Sequence, residues 1–330
     1  MSELWGRFLG HTKNKERFSK ILQERRLPST HIFVGPSGVG KRTFALALAQ
    51  KLICQRGLGC GVCGPCIRVE KAQSENLLLV EPDGKSIKVS QSTEILKFVS
   101  FQLIGSARVV IINQAHKMNP QAANALLKTL EEPEQDTYFF LVTETLLGML
   151  PTIRSRSLVT QFGILSNNDV QGVLTQNLLA FTAEQVQFSE GSVVKAMALN
   201  LETQSHIKVV YHKLWEQFFK THKFQGSYYQ VLEPLNKDIK DKDFMVALGQ
   251  YFQKHLQSVW KAKDQGIHGQ SSNFYNTSFD ENLTSLSYSQ LDSLFLESIQ
   301  LEKDFKSNVD PSLCIAQFFK KANEVVSGQH

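Results

Sequence analysis

The chain has 330 residues, 42% of them hydrophobic and 20% charged, with a formal net charge of +5. That composition suits a soluble globular protein of two or three domains, and the mild basic balance is compatible with nucleic acid nearby without arguing for it. No apolar run approaches the ~18 residues of a membrane helix. The N-terminal "MSELWGRFLGHTKNKERF" also lacks the apolar core of a signal peptide. The expectation is therefore a cytoplasmic protein in a reducing compartment, with no membrane association.

Residues 1–163 read as alternating strands and helices, the pattern of a parallel sheet covered on both faces. "HIFVG" (31–35) is a short strand running into a Gly-rich loop, and "KRTFALALAQKLIC" (41–54) is a helix without a breaker. "NLLLVEP" (76–82), "RVVIIN" (108–113) and "YFFLVTE" (138–144) are too apolar to face solvent and predict buried parallel strands. "QAANALLKTLEEP" (121–133) predicts a helix ending at or just before Pro133. Short helices follow from about 164 to 203, including "SNNDVQGVLTQN" and "SEGSVVKAMALN". Beyond them the chain reads as all-helical. Ile207, Val210, Tyr211, Leu214 and Phe218 form one apolar stripe, and Phe244, Leu248, Phe252, Leu256 and Val259 form another. The polar, Gly/Ser/Asn-rich stretch 264–278 predicts a loop between helices.

"GPSGVGKRT" (35–43) fits the phosphate-loop pattern through Gly35, Gly40 and Lys41. In a strand–loop–helix setting the backbone of Ser37, Gly38 and Val39 curls around phosphate. The helix N-terminus adds positive potential, and the lysine reaches the terminal phosphates. The pattern then wants a Ser or Thr hydroxyl for Mg2+, yet this chain has Arg42, with Thr43 one residue late. One residue is about 100° of helical rotation, so Thr43 does not simply substitute. Such a loop either holds the phosphates of ATP or ADP or is a relic that holds nothing, and its Mg2+ site is degenerate.

The strand "RVVII" ends in Asn113 and Gln114, where phosphate-loop ATPases carry an Asp for the metal and often a Glu as base. An amide is no general base near neutral pH and a poor magnesium partner. Hydrolysis at this chain's own site is not expected. His116 reads as a surface or helix-entry residue.

Cys54, Cys60, Cys63 and Cys66 lie in "CQRGLGCGVCGPC", two overlapping C-x-x-C pairs with a further cysteine, among glycines that permit tight turns. In a reducing compartment this reads as one tetrahedral, structural zinc, with a redox dithiol as the alternative. Cys314 reads as a core residue of the helical region. Thr143, at the end of the "YFFLVTE" strand, stands where a polar residue senses a γ-phosphate. Arg156 in "LPTIRSRSL" is either a surface arginine or a finger that reaches a neighbouring subunit's nucleotide.

In this order, "HIFVGPSGVGK", the four-cysteine insertion, "NALLKTLEEP" (124–133) and "LPTIRSRS" resemble bacterial clamp loaders of the AAA+ class. The resemblance covers about residues 5–200, and "DFKSNVDPSL" (304–313) is similar to a segment near the C-terminus of one such subunit. It implies a RecA-like AAA+ module (1–163) with a zinc-binding insertion (54–66), a small helical lid (164–203) and an all-α collar (204–330). It also implies that Arg156, in the middle of the family's Ser-Arg-Cys motif, is the trans finger, although the motif here ends in Ser157. Val194 stands where motor subunits have a phosphate-sensing arginine. The spacing from Cys54 to Cys60 is shorter than the family pattern. The partners implied are gamma/tau and delta subunits in a heteropentameric ring, acting on a sliding clamp and primed DNA as part of the DNA polymerase III holoenzyme. Within the family the chain looks like a non-hydrolysing scaffold. The alternatives are an active motor of the gamma/tau type and, in a different class, a stand-alone phosphate-loop kinase.

Overall fold

A computed structural model describes residues 3–198, 201–221, 241–264, 278–307 and 309–327. The chain divides into two compact units between residues 198 and 199. The first is built on a five-stranded sheet in the order β2-β3-β4-β1-β5. Its strands are β1 (Thr30–Val34), β2 (Leu77–Val80), β3 (Arg108–Ile112), β4 (Thr137–Thr143) and β5 (Leu158–Gln161). All pairings are parallel.

Successive strand residues point to opposite faces, so a strand covered on both sides must be apolar throughout. Val109 and Ile111 of β3 enter one core, and Val110 and Ile112 enter the other. β2 departs from the expectation of full burial. It is an edge strand with a single partner, and Leu78 and Leu79 stay half-buried. β5, the other edge, did not stand out in the sequence because "LVTQ" is four residues with no apolar run.

The first core gathers around α3 (Lys41–Ile53), whose Ala45, Ala47 and Ala49 let it lie close on the sheet. Phe44 of α3 packs 5.5 Å from Phe33 and 5.2 Å from Phe162, ring centre to ring centre. Two short N-terminal helices, α1 (Leu4–Arg7) and α2 (Thr12–Gln23), add Trp5 and Phe18 at 5.2 and 5.3 Å from the same ring. Burying one such side chain contributes roughly 1.5–3 kcal/mol. α4 (Gly64–Glu70) follows the cysteines. On the opposite face α5 (Val89–Ser100) and α6 (Pro120–Glu131) bring Ile95, Leu126 and Leu130 against Val110, Phe139 and Leu141.

α6 begins where the Asn119 side chain accepts the Ala122 N–H at 2.7 Å, with Pro120 in the first turn. It ends at Glu131, just before Pro133 as expected. α7 (Pro151–Ser155), also Pro-initiated, precedes β5. Three short helices complete the first unit: α8 (Asn167–Gln176), α9 (Ala183–Phe188) and α10 (Val193–Ala198).

The described part of the second unit is all helical: α11 (Leu201–Thr221), α12 (Lys242–Asp264), α13 (Ser278–Ser285), α14 (Tyr288–Lys306) and α15 (Pro311–Ser327). Both expected stripes are buried throughout. Trp215 sits 5.2 Å from Phe319, and Phe252 sits 5.0 Å from Phe318, closing an aromatic core that also buries Cys314. Most of the expected 264–278 loop lies outside the described residues. Among those described, no helix is long and apolar enough to cross a membrane.

Candidate functional site

In an open parallel sheet, ligands collect at the carboxyl ends of the strands. Here that edge carries a cleft of about 570 Å³ lined by Ser37–Thr43, Asn113, Gln114, Thr143 and Val194, among others. The ladder positions it. Gly35 N–H donates to Thr143 O at 3.3 Å, and Asn113 N–H donates to Val80 O at 2.8 Å. Gly35 must be glycine, since a Cβ there would lie 2.0 Å from Phe162 O. Gly38 has φ +74°, and a Cβ on it would meet Ser192 Oγ at 2.2 Å. Val193 N–H also donates to Gly38 O at 3.0 Å, so the segment carrying Val194 rests directly on the loop.

Lys41 is buried, and its ammonium donates to the loop's own carbonyls, Gly35 O at 2.7 Å and Pro36 O. Burial lowers its pKa, with Glu144 opposing the shift. Arg42 and Asn113, separate departures in the sequence, meet at a third residue that sequence reasoning passed over. Arg42 Nε lies 3.3 Å from Glu81 Oε1, and Asn113 Nδ2 donates to the same oxygen at 3.1 Å. The other end of the Asn113 amide accepts the Gln114 N–H at 3.1 Å, in a left-handed turn at Gln114 with φ 53°. A guanidinium and an amide thus share one carboxylate at the positions where an ATPase places its magnesium ligands. Thr43 is exposed in the same cleft. The available signal for Glu81 was an acid placed directly after an apolar strand.

Thr143 is fully engaged within the chain. Its hydroxyl donates to Thr145 O at 2.7 Å, so in its 3.1 Å contact with His116 Nδ1 it accepts. That contact puts the His116 proton on Nδ1 and leaves the threonine no proton for a phosphate. His116 is half-buried in a 3-10 turn (Ala115–Lys117). Its pKa is lowered by burial first, with Lys117 and Lys41 adding and Glu144 opposing.

The four cysteines converge. The sulfurs of Cys54, Cys60, Cys63 and Cys66 all lie within 4.8 Å of one another, and Cys54–Cys63 and Cys60–Cys66 are each 4.0 Å apart. Tetrahedral thiolates at ~2.3 Å from zinc stand about 3.8 Å apart, so the set fits a metal such as zinc. The short Cys54–Cys60 spacing does not keep Cys54 out. Burial works against its thiolate, but N–H groups of Cys60, Arg56 and Leu58 outweigh it and bring the thiol down to about 6. Gln50 of α3 anchors the module, donating to Cys66 O at 3.2 Å while accepting Leu4 N–H at 2.8 Å.

Arg156 lies at the other edge of the sheet. It follows α7 and comes two residues before β5 begins, in register with the start of β1. The cleft opens where those strands end, roughly 10 Å of sheet away. Arg156 is 42% exposed, and its Nε lies 2.9 Å from Glu131 Oε1. Glu131 is the first acid of "LEEP", the end of α6, and sequence reasoning assigned it no role.

Comparison with known proteins gives this arrangement its family. A family model described as DNA polymerase III, delta subunit, matches residues 10–166. The DNA polymerase III subunit delta' of Bacillus subtilis is 31% identical over 230 residues, covering 62% of this chain and 70% of that relative. Its counterpart in Pseudomonas aeruginosa is 38% identical over 132 residues, 38% of this chain and 40% of the relative. The tau/gamma subunit of Haemophilus influenzae is 33% identical over 178 residues, 53% of this chain but 25% of that longer protein. A parallel five-stranded AAA+ core, a four-cysteine cluster and these identities place the chain in the delta' subunit family of DNA polymerase III, within the AAA+ clamp loaders.

Proposed function

We propose that the chain is a scaffold subunit of a clamp loader, assembled with gamma/tau and delta subunits in a heteropentameric ring. In that ring it helps open a sliding clamp and place it on primed DNA. It supplies Arg156 to a neighbour's nucleotide and does not hydrolyse ATP itself.

One observation carries this reading. The chain's own magnesium positions are closed on each other through Arg42, Glu81 and Asn113. Its half-exposed arginine stands at the amino-terminal end of the strands, about 10 Å of sheet from its own cleft. An arginine so placed serves a site on another chain, where its charge stabilises phosphoryl transfer. The cleft keeps the loop backbone that cradles phosphates, so ATP or ADP would be held there without hydrolysis. Val194, 58% exposed beside the loop, offers an apolar surface where a motor subunit has its sensing arginine.

The remaining parts have structural roles in this reading. Residues 1–163 form the AAA+ module, 164–203 the lid, and 204–330 the collar that closes the ring. The cysteine module holds one zinc as a cross-link between the end of α3 and the start of α4, since four thiolates leave no open position for water. The test is reconstitution. The chain should co-assemble with gamma/tau and delta subunits, and omitting it should abolish clamp loading on primed DNA. Full loading by the complex without it overturns the proposal.

A further inference from the structure

We infer that Glu131 is the positioning residue of the trans arginine, holding the Arg156 guanidinium with its phosphate-binding end free. The inference rests on the trans-arginine reading above and adds the residue that aims the finger.

A guanidinium carries five N–H donors in a rigid plane, one on Nε and two on each terminal nitrogen. A single flexible arginine on a surface sweeps a wide volume, and a finger works only if its plane is already oriented. In this chain two partners, one ion pair and one hydrogen bond, hold the guanidinium from behind. The Glu131 carboxylate forms an ion pair with Nε, Oε1 standing 2.9 Å away, and Thr152 O accepts one Nη1 hydrogen at 3.3 Å. The Nη2 hydrogens have no partner among the described residues. They lie at the end of the fork that binds a phosphate oxygen pair.

Both supports are set by backbone. Glu131 is the last residue of α6, whose Leu126 and Leu130 are buried in the core. Thr152 lies in α7, one turn before Arg156, anchored by buried Ile153. Thr30 Oγ1 further pins the end of α6 by donating to Leu130 O at 3.2 Å. The carboxylate is therefore presented from a fixed helix end, and "NALLKTLEEP" and "SRS" are two halves of one device.

What Glu131 supplies is a carboxylate charge beside Nε. A glutamine keeps a polar oxygen at the same reach without the charge, and an alanine keeps neither. In the complex reconstituted with gamma/tau and delta subunits, single-turnover ATP hydrolysis at the neighbouring site is the readout. Glu131→Ala should slow turnover by up to about 10²-fold, the penalty of a misplaced catalytic group, with ATP affinity unchanged. Glu131→Gln, which keeps the dipole but not the charge, should recover part of that rate. In an Arg156→Ala background, Glu131→Ala should add nothing. The isolated variants should melt within about 2 °C of the parent, because a half-exposed pair contributes little stability. If Arg156→Ala slows the neighbour and Glu131→Ala leaves it unchanged, the positioning role is wrong and the trans reading stands. A further slowing by Glu131→Ala in the Arg156→Ala background likewise overturns it. If Arg156→Ala changes nothing, the trans reading itself fails.

Discussion

Arg42 and Glu81 face each other at 3.3 Å across the cleft where a phosphate-loop ATPase would hold magnesium. Asn113 binds the same Glu81 oxygen. The two sequence departures at this site are therefore one contact. Arg42 supplies fixed positive charge near the position of the cation, and Glu81 neutralises it. Both side chains are about half exposed, so the pair adds little stability. Its consequence is that both protein-side metal positions are occupied.

The isolated chain should accordingly show no magnesium-dependent ATPase above background. Restoring the pattern partway, with Arg42→Thr and Asn113→Asp together, should still give no steady turnover, because Gln114 supplies no base. Phosphate release measured with and without Mg2+ checks this. A magnesium-dependent rate in the unaltered chain that disappears in Lys41→Ala would contradict it.

The cysteine module should carry about one zinc per chain, bound tightly enough to survive dialysis. Cys63→Ser should lower the bound metal, and a chelator should lower the melting temperature of the first unit, because metal affinity is folding free energy. Elemental analysis with parallel melting curves is the measurement. A preparation with no zinc and an unchanged melt would show that the four sulfurs cluster without a metal.

His31 predicts a pH dependence of stability. It is buried among Phe18, Phe33 and Phe140, and burial pushes its pKa from 6.5 down to about 4, with the Pro28 carbonyl opposing and Arg17 assisting. The folded state binds fewer protons than the unfolded state between those values. Stability is then fully present above about pH 6.5 and declines as pH falls towards 4, by about 3 kcal/mol from this group. Urea unfolding from pH 7 to 4 should show the decline. His31→Phe, which does not titrate, should flatten it, whatever the variant does to the baseline. An equally steep decline in that variant would assign the effect to other groups.

Gly38 should not tolerate alanine. The positive φ and the 2.2 Å approach to Ser192 Oγ both oppose a Cβ. Gly38→Ala should lower stability by roughly 1–3 kcal/mol, and Gly38→Ala with Ser192→Gly should recover part of the loss. Chemical denaturation decides this, and no recovery would mean that backbone strain alone accounts for the cost.

Much of this molecule was legible in its residues because the informative patterns are local. Continuous apolar runs marked β1, β3 and β4, since a strand covered on both faces has no polar side to show. The stop before Pro133 bounded the end of α6, and the cysteine spacing marked a cluster whose sulfurs do converge. The edge strand β5 escaped because four residues with one exposed glutamine carry no periodicity. Glu81 and Glu131 escaped for a different reason. Each is an ordinary exposed acid in its own segment, and each gains meaning only from a partner 39 or 25 positions away in the chain, Arg42 and Arg156 respectively. Thr143 illustrates the converse. Its position at a strand end fitted a phosphate sensor, but its one proton is directed to Thr145 O.

The central claim is a division of labour, with the chain's own site silent and its arginine acting on a neighbour. Single-turnover ATP hydrolysis by the reconstituted complex, carrying either the parent chain or Arg156→Ala, tests it most directly. The account predicts loss of at least about 10³-fold at one neighbouring site, with the other sites and assembly unchanged. An Arg156→Ala complex that assembles and hydrolyses ATP at the parent rate at every site would contradict it.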